Sequence, residues 1–182
     1  MINAFQILGI EPQLVLADDC LRDAFREAGK RAHPDAGGGE GEFAVLREAY
    51  AVLSSPSRRL LHWLELRGTP AEVRGSIENS LMDLFAAVGA VTQQAESLIR
   101  KRDEAKSALV RAMLEGQTQL SREAVERAIS QVESRIADEC AGFADFEAIV
   151  DLDLEIVFKV ARNLAFLEKW RAGLRSAFSR LV

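Results

Sequence analysis

Two histidines, two cysteines and a run of glycines are the residues of this chain that could most readily do chemistry. His33 is followed by Pro34 and Asp35. A histidine next to a carboxylate could act as a general base or a metal ligand, but no cysteine or second histidine lies near His33 in the sequence. The other histidine, His62, adjoins Trp63 in an apolar segment and is expected to be a satisfied residue of a packed helix. These residues do not predict an enzyme.

The cysteines and glycines do not predict a metal or cofactor site either. Cys20 and Cys140 lie far apart in the sequence and form no CxxC pair, so a zinc or redox motif is not indicated. The glycine-rich segment 37–41 lacks the Gly-Lys-Ser/Thr ending of a phosphate-binding loop, and no strand precedes it. We therefore expect no cofactor and no bound metal.

The composition is that of a folded globular protein. The chain has 182 residues, of which 48% are hydrophobic and 28% charged, with a net charge of -5 and a pI of about 5.2. A nucleic-acid-binding protein would usually be basic, and no apolar run is long enough to span a membrane. The start, Met1 to Phe5, lacks the pattern of a secretory signal. We expect a cytoplasmic location, with neither nucleic acid nor membrane as a partner.

Helical spacing of apolar residues runs through the first third of the chain. A short helix is predicted from Asn3 to Leu8, ended by Gly9, and Asp18 is expected to cap the next helix. Ser55-Pro56 begins another helix. Between Asp18 and Ser55, two apolar stripes predict an antiparallel pair of helices. One stripe consists of Leu21, Ala24, Phe25 and Ala28, and the other of Phe43, Leu46, Tyr50 and Leu53.

The second helix carries a row of positive charges. Three of them repeat every four residues and a fourth follows, giving the set Arg22, Arg26, Lys30 and Arg31. Asp23 and Glu27 are expected to lie elsewhere around the helix and to limit its net charge. Such a row can be an ordinary solvated face, or it can dock on an acidic partner and set the rate and orientation of encounter.

Together, segment 3–10, the basic helix, the tripeptide His33-Pro34-Asp35 and segment 43–53 resemble the J-domain of DnaJ-type co-chaperones. The resemblance implies that the tripeptide is required to stimulate ATP hydrolysis by a DnaK-type chaperone. It also implies that the basic helix, through Arg22, Arg26, Lys30 and Arg31, docks on an acidic face of that chaperone. The chain departs from the family at Ala32, where an aromatic residue is common, and at Ala36, where a basic residue usually follows.

The remaining two thirds predict an antiparallel three-helix bundle, so that the whole chain is all-α with a J-domain at 1–67, a linker at 68–76 and the bundle at 77–182. A heptad seam runs from Ile77 to Ala112, and Gly116 is expected to end its helix. Ser121 is expected to cap the second helix, and the third is expected to begin near Asp145. So long a seam could also let two copies of the chain associate.

Several large apolar side chains fall off these seams, rotated about 100° around their helices. They are Met82, Phe85, Phe158, Phe166 and Trp170. Either they are buried against the J-domain or one another, or they form an exposed patch that binds a protein partner.

A J-domain, a short link and a C-terminal three-helix bundle resemble the layout of HscB-type co-chaperones, and the likeness extends to segments 81–85 and 162–169. The resemblance implies that the protein delivers an IscU-type iron–sulfur scaffold to a DnaK/HscA-type chaperone. The scaffold-binding patch would be Leu81, Met82, Phe85 and Phe166. Where the family flanks this patch with acidic residues, this chain has Ala86, Gly89 and Gln93.

Two other functions remain open from the sequence. The first is a J-domain co-chaperone with a different client, in which the apolar residues off the seams are buried. The second is a non-enzymatic helical adaptor whose tripeptide is vestigial.

Overall fold

The computed structural model describes residues 3–32, 40–69 and 78–181, and these residues form α-helices without a strand among them. The predicted all-α fold is therefore confirmed. No helix within the described ranges is long and apolar enough to cross a lipid bilayer. The helices are α1 Ala4–Leu8, α2 Asp18–Arg31, α3 Glu40–Ser54, α4 Pro56–Leu66, α5 Met82–Glu104, α6 Ala108–Cys140, α7 Phe143–Ala148 and α8 Leu154–Leu181, with a short 3-10 turn Asn79–Leu81 before α5.

The chain folds as two compact units. The first comprises Met1–Arg74 together with Cys140–Arg162, and the second comprises Gly75–Glu139 together with Asn163–Val182. Two separate stretches of the sequence thus contribute to each unit. The predicted boundaries at 1–67, 68–76 and 77–182 stay a prediction.

The ends of α1 follow the predicted signals. The Asn3 carboxamide oxygen accepts hydrogen bonds from the backbone N–H groups of Phe5 and Gln6, at 3.0 and 3.2 Å. Gly9 ends the helix in the left-handed region at a φ of 68°, where a side chain would be strained. Phe5 and Leu8 are buried, so this short helix is anchored in the unit's core.

Helices α2 and α3 pack as the predicted antiparallel pair. The Phe25 ring lies near the rings of both Phe43 and Tyr50, with centroids 6.3 and 4.7 Å apart. At the end of α2, Arg31 lines a groove with Gly41 at the start of α3, whereas the closer ring contact of Phe25 is with Tyr50 near the end of α3. The contacts therefore run in opposite directions along the two helices, which is antiparallel packing, and this arrangement fixes the outward face of α2.

The prediction that Asp18 caps α2 is wrong. Ala17 occupies the cap position and makes no side-chain cap bond, while Asp18 and Asp19 lie within the first turn. There their carboxylates face the positive end of the helix dipole, which stabilises the turn without a cap bond.

The predicted start of α4 is confirmed: the Ser55 hydroxyl accepts from the Arg58 backbone N–H at 3.3 Å, and Pro56 occupies the first turn. His62 is buried and satisfied, as expected. Its Nε2 accepts the Ala4 backbone N–H at 3.0 Å, and its ring stacks on Phe5. This histidine joins α4 to α1 and has a structural part.

A contact that the sequence did not predict brings α7 into the first unit. The buried Arg59 guanidinium lies 5.9 Å from the centroid of the Phe143 ring and donates to the Leu53 carbonyl at 2.6 Å. The Leu14 backbone N–H donates to the Glu147 carboxylate. These contacts explain why residues 140–162 group with the first unit.

In the second unit, α5 and α8 run parallel. Their first shared contact joins Phe85 to Trp170, with ring centroids 5.5 Å apart. Further along both helices, the Arg102 guanidinium donates to the carbonyls of Leu181, at 3.4 Å, and of Arg180. Arg102 interrupts the apolar seam, and the structure gives the reason: it satisfies the last carbonyls of α8.

Helix α6 runs antiparallel to α8. Arg175 donates to Glu133 at 2.6 Å, while nearer the end of α8 the Phe178 ring lies 5.7 Å from the Arg122 guanidinium. Two parallel helices with an antiparallel one form the predicted three-helix bundle. Its buried apolar residues include Val88, Ala95 and Leu98 of α5, Val125, Val132 and Ile136 of α6, and Leu164, Leu167, Leu174 and Leu181 of α8.

The predicted break between the first two bundle helices is wrong. The chain turns at 105–107, eleven residues before the predicted end at Gly116. The Ser107 hydroxyl, in place of Ser121, accepts from the first turn of α6, from the Val110 backbone N–H at 3.2 Å. A glycine in a helix costs only about 1 kcal/mol relative to alanine, so α6 continues through Gly116.

Asn163 ties the three helices of the bundle together. Its buried side-chain amide donates to the Glu78 carboxylate, at 2.9 Å, and to the Glu139 carboxylate, at 3.1 Å. Glu78 precedes α5, Glu139 lies at the end of α6, and Asn163 itself is on α8. Glu139 also pairs with the Arg135 guanidinium at 2.8 Å, so the amide joins two carboxylates of which at least one is compensated by a positive charge.

Replacing Asn163 with Ala is expected to lower the free energy of unfolding by about 1.5–3 kcal/mol, because hydrogen bonds to two charged acceptors are lost and leave these partly buried groups less well satisfied. Urea denaturation followed by circular dichroism measures this change. Gln93→Ala, at an exposed position of α5, is the matched control and should be nearly neutral. Equal stability of the two variants would contradict the role given to Asn163.

Candidate functional site

The basic row of α2 is a ladder of ion pairs. Each cation contacts a carboxylate three residues earlier: Arg26 pairs with Asp23 at 3.0 Å and Lys30 with Glu27 at 2.7 Å. Arg22 pairs with Asp19 in the same way. All the side chains concerned are well exposed. The expectation that Asp23 and Glu27 lie away from the row is wrong, since both carboxylates contact it.

The ladder changes the electrostatics of this face. The hydrogen bond and the positive charge of Lys30 hold the pKa of the Glu27 carboxyl below its ordinary value, so this group is ionised at neutral pH. The hydrogen bond to Asp19, with its charge, raises the pKa of Arg22. With four acidic and four basic residues, α2 carries no formal net charge at neutral pH. Exposed pairs of this kind contribute little to stability and can open when a partner approaches.

Arg31 lies apart from the other three cations. It is exposed and lines a groove together with Gln6 and Ile7 of α1 and Val45 of α3. The row therefore consists of Arg22, Arg26 and Lys30, and Arg31 belongs to an adjoining side of the helix. The predicted residues His33, Pro34 and Asp35 lie outside the described residues.

A second candidate surface is formed by aromatic residues and a methionine on α5 and α8. Met82 and Phe85 are 46% and 44% exposed. Trp170 lies between Phe85 and Phe166, with ring centroids 5.5 and 6.4 Å away, and both Phe166 and Trp170 are half-buried. We call Met82, Phe85, Phe166 and Trp170 the aromatic patch. The sequence had marked these side chains as lying off the seams, and the structure brings them together.

Leu81 and Phe158 differ from the other candidates. Leu81 is buried beneath the start of α5, so its side chain packs inside the unit and positions Met82. Phe158 is half-buried and groups with the first unit. Trp170 completes the patch and stands one helical turn after Phe166, which is the spacing that could have identified it.

The described residues show no arrangement suited to a metal ion: no three of their His, Cys, Asp and Glu side chains come together as a ligand set. Of the residues that the sequence proposed as a site, those that the structure describes form two exposed surfaces, one of charged pairs on α2 and one of apolar side chains on α5 and α8.

Comparison with known proteins agrees with the first unit. The family model of the DnaJ domain matches residues 3–62. The first third of the chain is a DnaJ domain. Within it, the described helices α1 to α4 have the predicted order, and the tripeptide falls inside the matched range.

Two curated relatives resemble the chain within this J-domain. A tetratricopeptide repeat and J domain-containing co-chaperone of Cryptococcus neoformans is 45% identical over 56 residues, which are 30% of this chain and 10% of that protein. The chaperone protein DnaJ of Lacticaseibacillus casei is 49% identical over 45 residues, 23% of this chain and 12% of that protein. The match thus spans about a tenth of these relatives' length.

A solved structure resembles the chain over its full length. The chaperone HscB from Vibrio cholerae superposes with a TM-score of 0.57 at 20% identity, covering 100% of both chains. At this identity the likeness concerns the fold, a J-domain followed by a helical region.

Two neighbouring substitutions test whether the aromatic patch is open. Met82→Ala should change the free energy of unfolding by no more than about 0.5 kcal/mol, because the side chain is exposed. Leu81→Ala should cost about 2–5 kcal/mol, because it leaves a cavity in the core. Thermal or urea denaturation of both variants gives the comparison. A large loss for Met82→Ala would show that this residue is buried in solution.

Proposed function

We propose that this protein is a co-chaperone that stimulates the ATPase of a DnaK/HscA-type chaperone and delivers an IscU-type iron–sulfur scaffold protein to it. The observation that supports the proposal most strongly is the combination of a J-domain with an HscB-like fold over the whole chain. The aromatic patch on α5 and α8 gives this fold a client surface. In this proposal the protein acts by binding, in the cytoplasm, and catalyses no reaction itself.

The chaperone side of the proposal involves α2 and the tripeptide His33-Pro34-Asp35. The outward face of α2 is fixed by the packing of Phe25 and Leu21 on the other side. An acidic chaperone face would compete with Asp19, Asp23 and Glu27 for the three cations. The tripeptide, which follows this helix, would act on the chaperone's ATPase once α2 has docked.

The client side depends on apolar burial. A pair of exposed side chains, Met82 and Phe85, lies beside the half-buried rings of Phe166 and Trp170. Aromatic residues and methionine are enriched in protein interfaces, and methionine adapts to irregular surfaces. The flanking residues Ala86, Gly89 and Gln93 are uncharged. Binding through this patch should therefore depend only weakly on salt.

A different protein client is the second candidate. The uncharged flank of the patch favours it, since a scaffold recognised by acidic residues would find none at Ala86, Gly89 and Gln93. The same apolar patch would then receive another protein surface.

Phe166→Asp is expected to raise the dissociation constant for the scaffold protein about tenfold or more, because it places a charge in the middle of an apolar contact. Met82→Asp, at a more exposed position, should act in the same direction without endangering the fold. Calorimetric titration with the scaffold of the same organism measures both. Asp35→Asn is the matched control and should leave scaffold affinity unchanged while abolishing stimulation of the chaperone.

The outcomes separate the two candidates. Micromolar binding that is lost in both patch variants supports scaffold delivery through the aromatic patch. If the scaffold does not bind while the chaperone's ATPase is still stimulated, the client is a different protein. If Asp35→Asn stimulates as well as the wild type, the co-chaperone activity itself is refuted.

The ion-pair ladder on α2 predicts that removing one of its carboxylates speeds association with the chaperone. Glu27→Gln frees Lys30 and gives α2 a net positive charge, so association with an acidic chaperone face should become faster at low salt. Stopped-flow measurement of the association rate, repeated near 0.15 M salt where the Debye length is about 8 Å, should show a smaller gain there. Asp103→Asn changes the net charge equally on α5 and is the control. An equal effect of the two variants would contradict a specific role of the ladder.

A further inference from the structure

Trp170 gives the aromatic patch a hydrogen-bond donor. Its ring lies between those of Phe85 and Phe166, with centroids 5.5 and 6.4 Å away. The side chains of Met82, Phe85 and Phe166 contain neither nitrogen nor oxygen, whereas the indole N–H of Trp170 is a donor that cannot accept. A protein that covers the patch around Trp170 therefore covers a polar group as well as apolar ones.

The Trp170 N–H has no acceptor within the part of the chain that the structure describes. Trp170 is half-buried, and no described residue accepts a hydrogen bond from its indole nitrogen. This nitrogen is also not among the enclosed side-chain nitrogens of the described ranges that lack a partner, so it keeps contact with solvent. In the free protein, water can satisfy this donor.

Two glycines leave open space beside the ring pair. Gly89 follows Phe85 by one turn of α5, and Gly173 follows Trp170 by about one turn of α8. Because α5 and α8 run parallel, both glycines come just after the level at which the two rings meet. A Cβ atom at either glycine would meet nothing outside its own stretch of helix within 4 Å. A segment of another protein can therefore approach the rings from this side.

Covering the patch with a purely apolar surface would leave the Trp170 donor without a partner. An unpaired buried donor loses more free energy than a hydrogen bond usually contributes, so a partner with an acceptor in place is favoured over an equally apolar one without it. Tryptophan is also enriched among the residues that dominate the affinity of protein interfaces. The N–H thus gives the patch a means of selecting among apolar surfaces.

We infer that Trp170 determines the specificity of the aromatic patch by donating its indole N–H to an oxygen atom in the client's contact surface. The client is the IscU-type scaffold protein, so the inference rests on the proposed function. The contact surface of that protein presents apolar side chains around one accessible oxygen. The space beside Gly89 and Gly173 admits the segment that carries this oxygen.

Trp170→3-benzothienylalanine tests the donor directly, because sulfur replaces the N–H while the shape of the ring is kept. Calorimetric titration of the full chain with the scaffold protein should show a dissociation constant raised about tenfold. The same replacement at Trp63, a buried residue of the first unit, is the matched control and should leave the affinity unchanged. Urea denaturation of the Trp170 variant should give wild-type stability, since the N–H has no acceptor among the described residues.

The indole protons provide a second measurement on the unmodified protein. The chain has two tryptophans, so Trp63 serves as an internal reference for Trp170 in the nuclear magnetic resonance spectrum. Addition of the scaffold protein should shift the indole resonance of Trp170 and slow the exchange of its proton with water. The indole resonance of Trp63 should change in neither respect.

Two substitutions at Gly173 test the space beside the rings. Gly173→Leu should weaken scaffold binding about tenfold or more, because its side chain occupies the space that the client segment needs. Gly173→Ala adds only one carbon and should have little effect. Both variants should fold, since a Cβ at this position is unobstructed and alanine and leucine favour a helix over glycine. Circular dichroism checks the fold.

The outcomes separate this inference from the proposed function. If the scaffold binds the wild type, loses affinity for Phe166→Asp and binds Trp170→3-benzothienylalanine as tightly as the wild type, the inference is overturned and the proposed function stands. A Trp170→3-benzothienylalanine variant that is markedly less stable would also overturn it, because the N–H would then have a structural part. If the scaffold does not bind the wild type, scaffold delivery and the inference both fail.

Discussion

The buried amide of Asn163 and the two carboxylates it joins are the interaction on which the arrangement of the second unit depends. Glu78 leads into α5 and Glu139 ends α6, so these hydrogen bonds fix the start of one helix and the end of another against α8. Because α5 and α8 run parallel from this point, Phe85 reaches Trp170 after one or two turns of each helix. The aromatic patch therefore follows from the topology, although its residues lie far apart in the sequence.

The two candidate surfaces are suited to different interactions, one to apolar burial and the other to electrostatic attraction. The aromatic patch can gain affinity by burying apolar area, which is insensitive to salt. The row on α2 can mainly gain encounter rate, and Asp19, Asp23 and Glu27 reduce that gain by pairing with its cations. A chain with this ladder should discriminate among acidic partners, since only a strongly acidic face can compete with carboxylates already in place. If the proposed function holds, stimulation of the chaperone and binding of the client can accordingly be altered one at a time.

The sequence predicted those features that depend on residues close together in the chain, such as the ends of helices. Asn3 and Gly9 bound α1, and Ser55 and Pro56 begin α4. The off-seam phase of Met82 and Phe85 singled these residues out but left open whether they are buried or exposed, and the structure shows that they are exposed. The predicted helix end at Gly116 was wrong because a glycine inside a helix is only mildly unfavourable. The hydroxyl that caps α6 belongs to Ser107. The contact of Arg59 with Phe143 joins distant parts of the chain, and no periodicity reports it. On α2, each of the three cations follows a carboxylate by three residues, and this spacing is typical of ion pairs along a helix. The four-residue repeat of the cations themselves predicted a row of free positive charges instead.

The central claim is that one chain couples a chaperone's ATPase to a client through separate surfaces. The most direct test is the ATP hydrolysis rate of a DnaK/HscA-type chaperone with this protein alone, with the IscU-type scaffold alone, and with both together. The account predicts stimulation by this protein and a larger, more than additive stimulation when the scaffold is added. Rates with both proteins that equal the sum of the separate effects would contradict coupling, and no stimulation by this protein would contradict the account as a whole.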